Sequence, residues 1–306
     1  MDAFPLDRPA RLAVFASGRG TNLASLLRTF PQGDALGSVV LVVSDREDAP
    51  ALARARSAGV EALHIPWPRG GRAAFEAQAQ AALEARGIDL VCLAGFMRIL
   101  SPVFVEAWAG RILNIHPSLL PDFPGLHAQR QALEAGAREA GCSVHFVDAG
   151  VDSGPVVLQR RVPVFPGDTE ETLAARILYE EHRAYPDAVR LVLEGWAFPP
   201  PDAGFVRERY GPEAAAIYAA LEGRTPEGAP RKVQYLRVAR FLERVGYPDR
   251  VLAAWKGTGG PVERAAWAWE TLKLEAYRPG AAAVRQELEA LKAELPPAVR
   301  TLLERV

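Results

Sequence analysis

Three residues in this chain have the types and spacing to do chemistry together: Asn114 and His116, two positions apart, and Asp152 further along. Asn114-Ile115-His116 closes a strand-like run that begins at Arg111. Pro117-Ser118-Leu119-Leu120-Pro121 follows, and its two prolines forbid a helix. Residues i and i+2 of a strand share a face. The Asn and the His therefore point the same way where the chain enters a loop, and can donate two hydrogen bonds to one oxygen. Asp152 stands in a second turn, Gly150-Val151-Asp152-Ser153-Gly154-Pro155. An amide polarises a carbonyl, an imidazole donates a proton or positive charge, and a carboxylate tunes the imidazole or takes a proton. Together they suit acyl or formyl transfer.

A second candidate site lies near the N-terminus. Ser17-Gly18-Arg19-Gly20-Thr21-Asn22 joins a strand to a helix. Glycines let the backbone approach an anion there, and the free N–H groups of the helix point at it. A dinucleotide loop wants a third glycine where Leu23 stands. Asp45, at the end of the next strand, could mimic a ribose-binding acid, although a turn residue explains it as well. Thr21 and Asn22 at the helix start fit a phosphate monoester better than a nicotinamide dinucleotide.

The surrounding elements alternate short apolar strands with helices, the pattern of a parallel α/β sheet. Strands are expected at Leu12–Ala16, Val39–Val43, Leu63–Ile65, Ile88–Ala94 and Arg111–Ile115. Helices are expected around Leu23–Leu27, Ala51–Ala58, Arg72–Arg86, Pro102–Ala107 and Ala128–Ala135. Cys142–Val147 and Val156–Val164 then read as an antiparallel edge hairpin around the Asp152 turn. Asp168-Thr169-Glu170-Glu171 opens a long helix that reaches about Leu193.

Phe198-Pro199-Pro200-Pro201-Asp202 forms a stiff linker. Beyond it no strand pattern appears. Tyr235, Val238, Leu242 and Val245 fall on one helical face, as do Val284, Leu288, Leu291 and Leu295. Breaks come at Gly246-Tyr247-Pro248, Gly257–Pro261 and Arg278-Pro279-Gly280. Trp255, Trp267 and Trp269 read as core. The expected division is a catalytic domain over 1–198 and a small all-helical domain over 199–306.

Composition excludes several classes. The chain has 306 residues, is 49% hydrophobic and carries a net charge of -1. No apolar run has the length of a membrane span, and Met1 to Arg11 has no secretory h-region. Residues 1–200 hold 19 Lys and Arg against 23 Asp and Glu, and residues 201–306 hold 17 against 14. Neither balance is basic enough to argue for nucleic acid. Cys92 and Cys142 lack metal spacing and make no disulfide framework, which suits a reducing cytoplasm. A metal site would want more His and Cys ligands than this region offers.

Residues 10 to about 195 resemble the folate-dependent phosphoribosylglycinamide formyltransferases of purine synthesis. The likeness runs through Ser17–Asn22, Leu93-Ala94-Gly95-Phe96-Met97-Arg98-Ile99-Leu100, Asn114–Pro121, Pro124-Gly125-Leu126-His127, Ser143-Val144-His145-Phe146-Val147 and Asp152–Pro155. The Asn-x-His and Asp trio marks the wider group of 10-formyltetrahydrofolate enzymes. The glycine loop and Pro-Gly-Leu-His narrow it. The resemblance implies the formyltransferase fold: a doubly wound, mostly parallel α/β sheet with an antiparallel edge hairpin, here with an all-α C-terminal addition that has no counterpart in that family.

It also implies roles. Asn114 and His116 hold an oxyanion, His116 gives a proton, and Asp152 raises the pKa of His116 to keep it cationic near neutrality. Gly20, Thr21, Asn22, Leu23 and Ala24 surround a ribonucleotide phosphate, and Glu181 meets its ribose. Met97, Arg98, Ile99 and Leu100 line a folate pocket with Asn114, Asp148, Ala149, Gly150 and Val151, and Arg72 lies near the folate. The implied donor is 10-formyltetrahydrofolate and the acceptor glycinamide ribonucleotide, with no metal. His127 and His145 suit supporting hydrogen bonds, and Ser118 local backbone.

The trio also serves a formyltetrahydrofolate hydrolase and a methionyl-tRNA formyltransferase. The first usually carries an N-terminal regulatory domain, and here about ten residues precede the first strand. The second has a β-barrel extension rather than a helical one. A nucleotide-binding sensor would not need the trio. For the helical tail, self-association into a homo-oligomer or capping of the catalytic domain is the expectation.

Overall fold

The computed structural model describes residues 4–69, 71–195, 197–221, 231–275 and 281–303. The chain divides into two compact units, Met1–Phe198 and Pro199–Val306.

The first unit runs β1 (Ala10–Phe15), α1 (Thr21–Thr29), β2 (Gly37–Ser44), α2 (Pro50–Ser57), β3 (Glu61–His64), α3 (Arg72–Ala85), β4 (Leu90–Leu93), α4 (Pro102–Ala107), β5 (Ile112–His116), α5 (Ala128–Glu134), β6 (Glu139–Phe146), β7 (Val156–Pro163) and α6 (Glu170–Leu193). The strands form one sheet in the order β3-β2-β1-β4-β5-β6-β7. Pairing is parallel from β3 to β5 and antiparallel from β5 to β7. Strand order reverses between β1 and β4. In a sheet of this kind ligands bind there, beyond the carboxyl ends of the strands.

Helices cover both faces, which is why β1, β2 and β4 are apolar along their length. On one face Phe15, Val43, Leu93 and Ile112 pack against Phe75 and Leu83 of α3 and Phe104 of α4. On the other, α6 buries Leu173, Ile177, Ala188 and Val189. A Thr169–Thr172 capping box starts α6, which continues past Pro186. The Tyr185 hydroxyl, fully buried, lies 3.0 Å from the carbonyl oxygens of Leu93 and Leu113. It thus ties α6 to the roots of the two strands that lead into the site. Cys92 and Cys142 are buried free thiols, and burial pushes Cys92 up to about 12.

The second unit is helical throughout its described residues: α7 (Ala203–Tyr210), α8 (Pro212–Ala220), α9 (Arg231–Arg244), a 3-10 turn (Pro248–Arg250), α10 (Val251–Trp255), α11 (Pro261–Glu275), α12 (Ala282–Lys292) and α13 (Pro297–Leu303). Leu288, Leu291 and Leu295 are buried, while Val284 is half-buried. Trp255 and Trp269 are core residues. Trp267 is half-buried and donates to the Ala254 carbonyl at 3.1 Å. The expected break at Arg278-Pro279-Gly280 lies outside the described residues.

The stripe on α9 is wider than Tyr235, Val238 and Leu242. It also takes in Val233, Leu236, Ala239 and Phe241, whereas Tyr235 is half-buried. Arg237, which a hydrophobic pattern places at the surface, is wholly buried. Its Nε pairs with Glu270 Oε2 on α11 at 2.7 Å, and both side chains are 0% exposed. Mutual neutralisation is what lets two charges leave water.

Candidate active site

The Asn-His pair sits at the end of β5, where Asn114 is half-buried and His116 is buried. Asp152 comes from the turn between β6 and β7, with φ 52. Gly154 permits that turn to fold back. A Cβ there would lie 1.8 Å from the Phe146 carbonyl oxygen.

The three side chains meet. Asn114 Nδ2 lies 3.3 Å from Asp152 Oδ1, and His116 Nδ1 lies 3.2 Å from Asp152 Oδ2. Three further groups complete the cluster. His145, on β6 opposite Asn114, brings Nε2 to 3.1 Å from Asn114 Nδ2 and 3.5 Å from Asp152 Oδ1. The Gly125 N–H donates to Asp152 Oδ2 at 2.9 Å. The Phe123 carbonyl accepts from His116 Nε2 at 3.0 Å. Phe123 and His127 both have positive φ in this loop. The loop is braced from below. Ser143 Oγ donates to Ser118 O at 2.6 Å, and Gln159 Nε2 to Leu120 O at 2.9 Å.

Two expectations change here. Asn114 and His116 turn their donors to Asp152 and to the Phe123 carbonyl rather than to one shared point. Nor does Asp152 hold His116 cationic. Burial lowers the His116 pKa more than the Phe123 carbonyl and the Asp152 charge raise it, so the imidazole titrates below its ordinary value. For Asp152, burial pushes up. Hydrogen bonds from His145 and the Gly125 N–H, with the two histidine charges, outweigh it and hold the carboxyl below its usual range.

The loop Ser17–Asn22 borders an open cavity of about 560 Å³, shared with Asp45, Arg46, Ala94, Gly95, Met97 and Arg98. Gly20 caps α1 in the left-handed conformation, with no side-chain hydrogen bond to the helix end. The first N–H groups of α1 are thus left for another acceptor. Ala24 is not among them, because its N–H already bonds the Gly20 carbonyl at 3.0 Å. Leu23 is fully buried, so only its backbone can face a ligand. Glu181 is not on a solvated face: it is buried and accepts from Asn22 Nδ2 at 2.7 Å.

The other predicted residues divide. Met97, Ile99 and Val151 expose apolar side chains, while Leu100 is buried in the core. Arg98 turns to Asp45, with Nε 2.7 Å from Oδ2, and lies over the Trp67 ring at 5.5 Å. It leaves its main chain to the cleft. Asp148 accepts from Gly150 N at 3.1 Å and Ser153 Oγ at 2.7 Å, closing its own turn; Ala149 and Gly150 are exposed beside it. Arg72 is exposed at the start of α3, apart from the residues lining the cavity. His127 is exposed, 3.9 Å from Glu170.

Sequence reasoning missed the Phe123 carbonyl, the Gly125 N–H and Gln159. His145, expected to supply supporting hydrogen bonds, contacts both Asn114 and Asp152. Period-two alternation of Ser143 and His145 with apolar neighbours was the available signal for a polar inner row on β6.

Comparison with known proteins identifies the family of the chain. A profile described as formyl transferase matches residues 10–189. Over 186 residues the chain is 46% identical to the phosphoribosylglycinamide formyltransferase of Escherichia coli (strain K12), covering 60% of this chain and 87% of that one. It is 48% identical over 191 residues to the trifunctional purine biosynthetic protein adenosine-3 of Drosophila pseudoobscura pseudoobscura, covering 60% of this chain but only 14% of that longer protein. The crystal structure of glycinamide ribonucleotide transformylase 1 from Symbiobacterium toebii superposes with a TM-score of 0.58 at 53% identity, covering 63% of this chain and 91% of that one. The chain belongs to the formyl transferase family.

Proposed function

We propose that this chain moves the formyl group of 10-formyltetrahydrofolate to the amine of glycinamide ribonucleotide, giving N-formylglycinamide ribonucleotide and tetrahydrofolate. The observation that carries the reading is the convergence of Asn114, His116 and Asp152 at the end of β5. The names of its relatives supply the substrates. In this reading residues 1–198 are the catalytic domain.

The residues divide the work. The amine nitrogen bonds to the formyl carbon and the bond from that carbon to folate N10 breaks. The amine loses one proton and N10 gains one, so the transfer is proton-neutral. His116, uncharged in the free protein near neutrality, accepts the amine's proton and then releases it to N10. Asp152 beside Nδ1 stabilises the imidazolium in between. Asn114 Nδ2, released from Asp152, donates to the oxyanion. The uncapped end of α1 and Gly20 receive the phosphate. Exposed Met97, Ile99 and Val151 give the folate ring an apolar rim. No metal is needed for these steps, and a reducing cytoplasm suits the two buried thiols.

The test is formyl transfer by His116→Ala and Asp152→Asn variants that still bind the ribonucleotide. Full turnover in either variant contradicts the assignment.

A further inference from the structure

The cavity of about 560 Å³ lies beside the reacting trio, not over it. Its walls come from the loops that follow β1, β2 and β4, among them Gly18 and Gly20, Asp45 and Arg46, Gly95 and Arg98. Asn114, His116, Asp152 and Glu181 do not line it. In the sheet, β2 and β5 stand on opposite sides of the β1–β4 pair. The phosphate loop therefore borders two regions, one toward the trio and this one toward β2. A cavity of this size takes a ligand larger than a phosphate. One of its wall groups lacks a partner. Asp45 is 7% exposed. Its Oδ2 pairs with Arg98 Nε at 2.7 Å, and its Oδ1 makes no hydrogen bond. A buried acceptor without a donor is unfavourable. Arg98, whose side chain is 40% exposed, forms the solvent side of the pair, and a swing of that long side chain opens Oδ1 to the cavity.

The surroundings select the donor. Arg19, Arg46 and Arg98 line the same cavity, and their charges repel an ammonium group but not a neutral hydroxyl. The uncapped end of α1 meanwhile takes an anion. A carboxylate at the end of the second strand, next to a phosphate held at the first helix, suits the hydroxyls of a ribose. Leu23, in place of a third glycine, favours a mononucleotide over a dinucleotide. We infer that the Asp45 end of this cavity is a second nucleotide subsite, which takes a nucleoside 5′-monophosphate with its phosphate on the α1 loop and its ribose hydroxyls on Asp45. The inference rests on the phosphate reading of that loop. A nucleotide in this pose occupies the substrate's phosphate position without reaching Asn114 or His116, and so competes with the ribonucleotide.

The experiment is equilibrium binding of adenosine 5′-monophosphate, its 2′,3′-dideoxy counterpart and inorganic phosphate to the full chain and to its Asp45→Ala and Glu181→Gln variants. The unsubstituted chain is expected to favour the ribose form by about tenfold or more, the size of a hydrogen bond to a charged group. Asp45→Ala should bring that ratio close to one, and Glu181→Gln should leave it unchanged. Inorganic phosphate should bind Asp45→Ala no more weakly, because backbone N–H groups hold it and a negative charge has gone. Asp45→Asn keeps the side-chain shape and repeats the test if alanine unsettles the loop; there the ratio should fall. Equal binding of the two nucleotides by the unsubstituted chain overturns the inference, as does an unchanged ratio in the Asp45 variants. A ratio lost in Glu181→Gln but kept in Asp45→Ala also overturns it, since the ribose then lies against α6. Loss of inorganic phosphate binding along with the ratio in both Asp45 variants overturns it too, because Asp45 would then only shape the loop. Failure of inorganic phosphate to bind the unsubstituted chain removes the phosphate reading itself.

Discussion

His116 has an acceptor facing each ring nitrogen, Asp152 on one side and the Phe123 carbonyl on the other, yet burial governs its titration. Its pKa lies below the ordinary 6.5, so on acidification the unfolded chain takes up a proton before the folded one. Asp152, held below its ordinary 3.8, acts in the same direction at lower pH. Stability is therefore expected to be full above about 6.5 and to fall as the pH drops through the folded values of His116 and then Asp152. Urea unfolding across pH checks this. Removing the Asp152 charge removes an influence that raises His116, so Asp152→Asn should shift the His116 imidazole signal in an NMR titration to still lower pH. A shift upward contradicts the pairing. In turnover, His116→Ala and Asp152→Asn are each expected to lose roughly a hundred- to ten-thousandfold, with ribonucleotide affinity retained.

At the scale of elements, α2 and the strand ends shape the loops. Gly20 combines φ 68 with a Cβ direction only 2.9 Å from the backbone and side chain of Ala51 on α2. Gly20→Ala is expected to cost about 1–2 kcal/mol from the left-handed backbone alone and to weaken phosphate binding. A denaturant midpoint and a phosphate titration measure the two effects. Beneath the Pro117–His127 loop, Gln159 joins Leu120 and Ser143. Gln159→Leu removes both of these hydrogen bonds. It should lower stability by about 0.5–1.5 kcal/mol per bond and slow transfer by misplacing Phe123 and Gly125.

Most elements of the first unit were legible because apolar runs of β1, β2 and β4 and the caps of α1 and α6 are local signals. The Asn114, His116 and Asp152 constellation was legible because i, i+2 spacing fixes a shared face. The loop contacts were not. The Phe123 carbonyl and the Gly125 N–H are backbone groups that any residue carries, and their direction depends on positive φ values set by tertiary packing. The neutral state of His116 was equally hidden, since a carboxylate partner is visible in sequence but the depth of burial is not.

At the scale of the whole molecule, the second unit holds a charge pair that sequence pattern assigns to the surface. Arg237 and Glu270 are both 0% exposed. Arg237→Met alone strands Glu270 and is expected to destabilise that unit by about 3–5 kcal/mol. Arg237→Met with Glu270→Leu should recover most of the loss, which calorimetry of the two variants would show. For the role of this unit we retain self-association or capping as the proposal. Light scattering and thermal unfolding of a chain ending at residue 198 check it, with unchanged mass and stability speaking against both.

The measurement that bears most directly on the account is release of tetrahydrofolate from 10-formyltetrahydrofolate by the purified chain, with and without glycinamide ribonucleotide. Release is expected only when the ribonucleotide is present, in step with formation of its N-formyl product. Release without it, with water as acceptor, or no release in either case, would contradict the transferase reading.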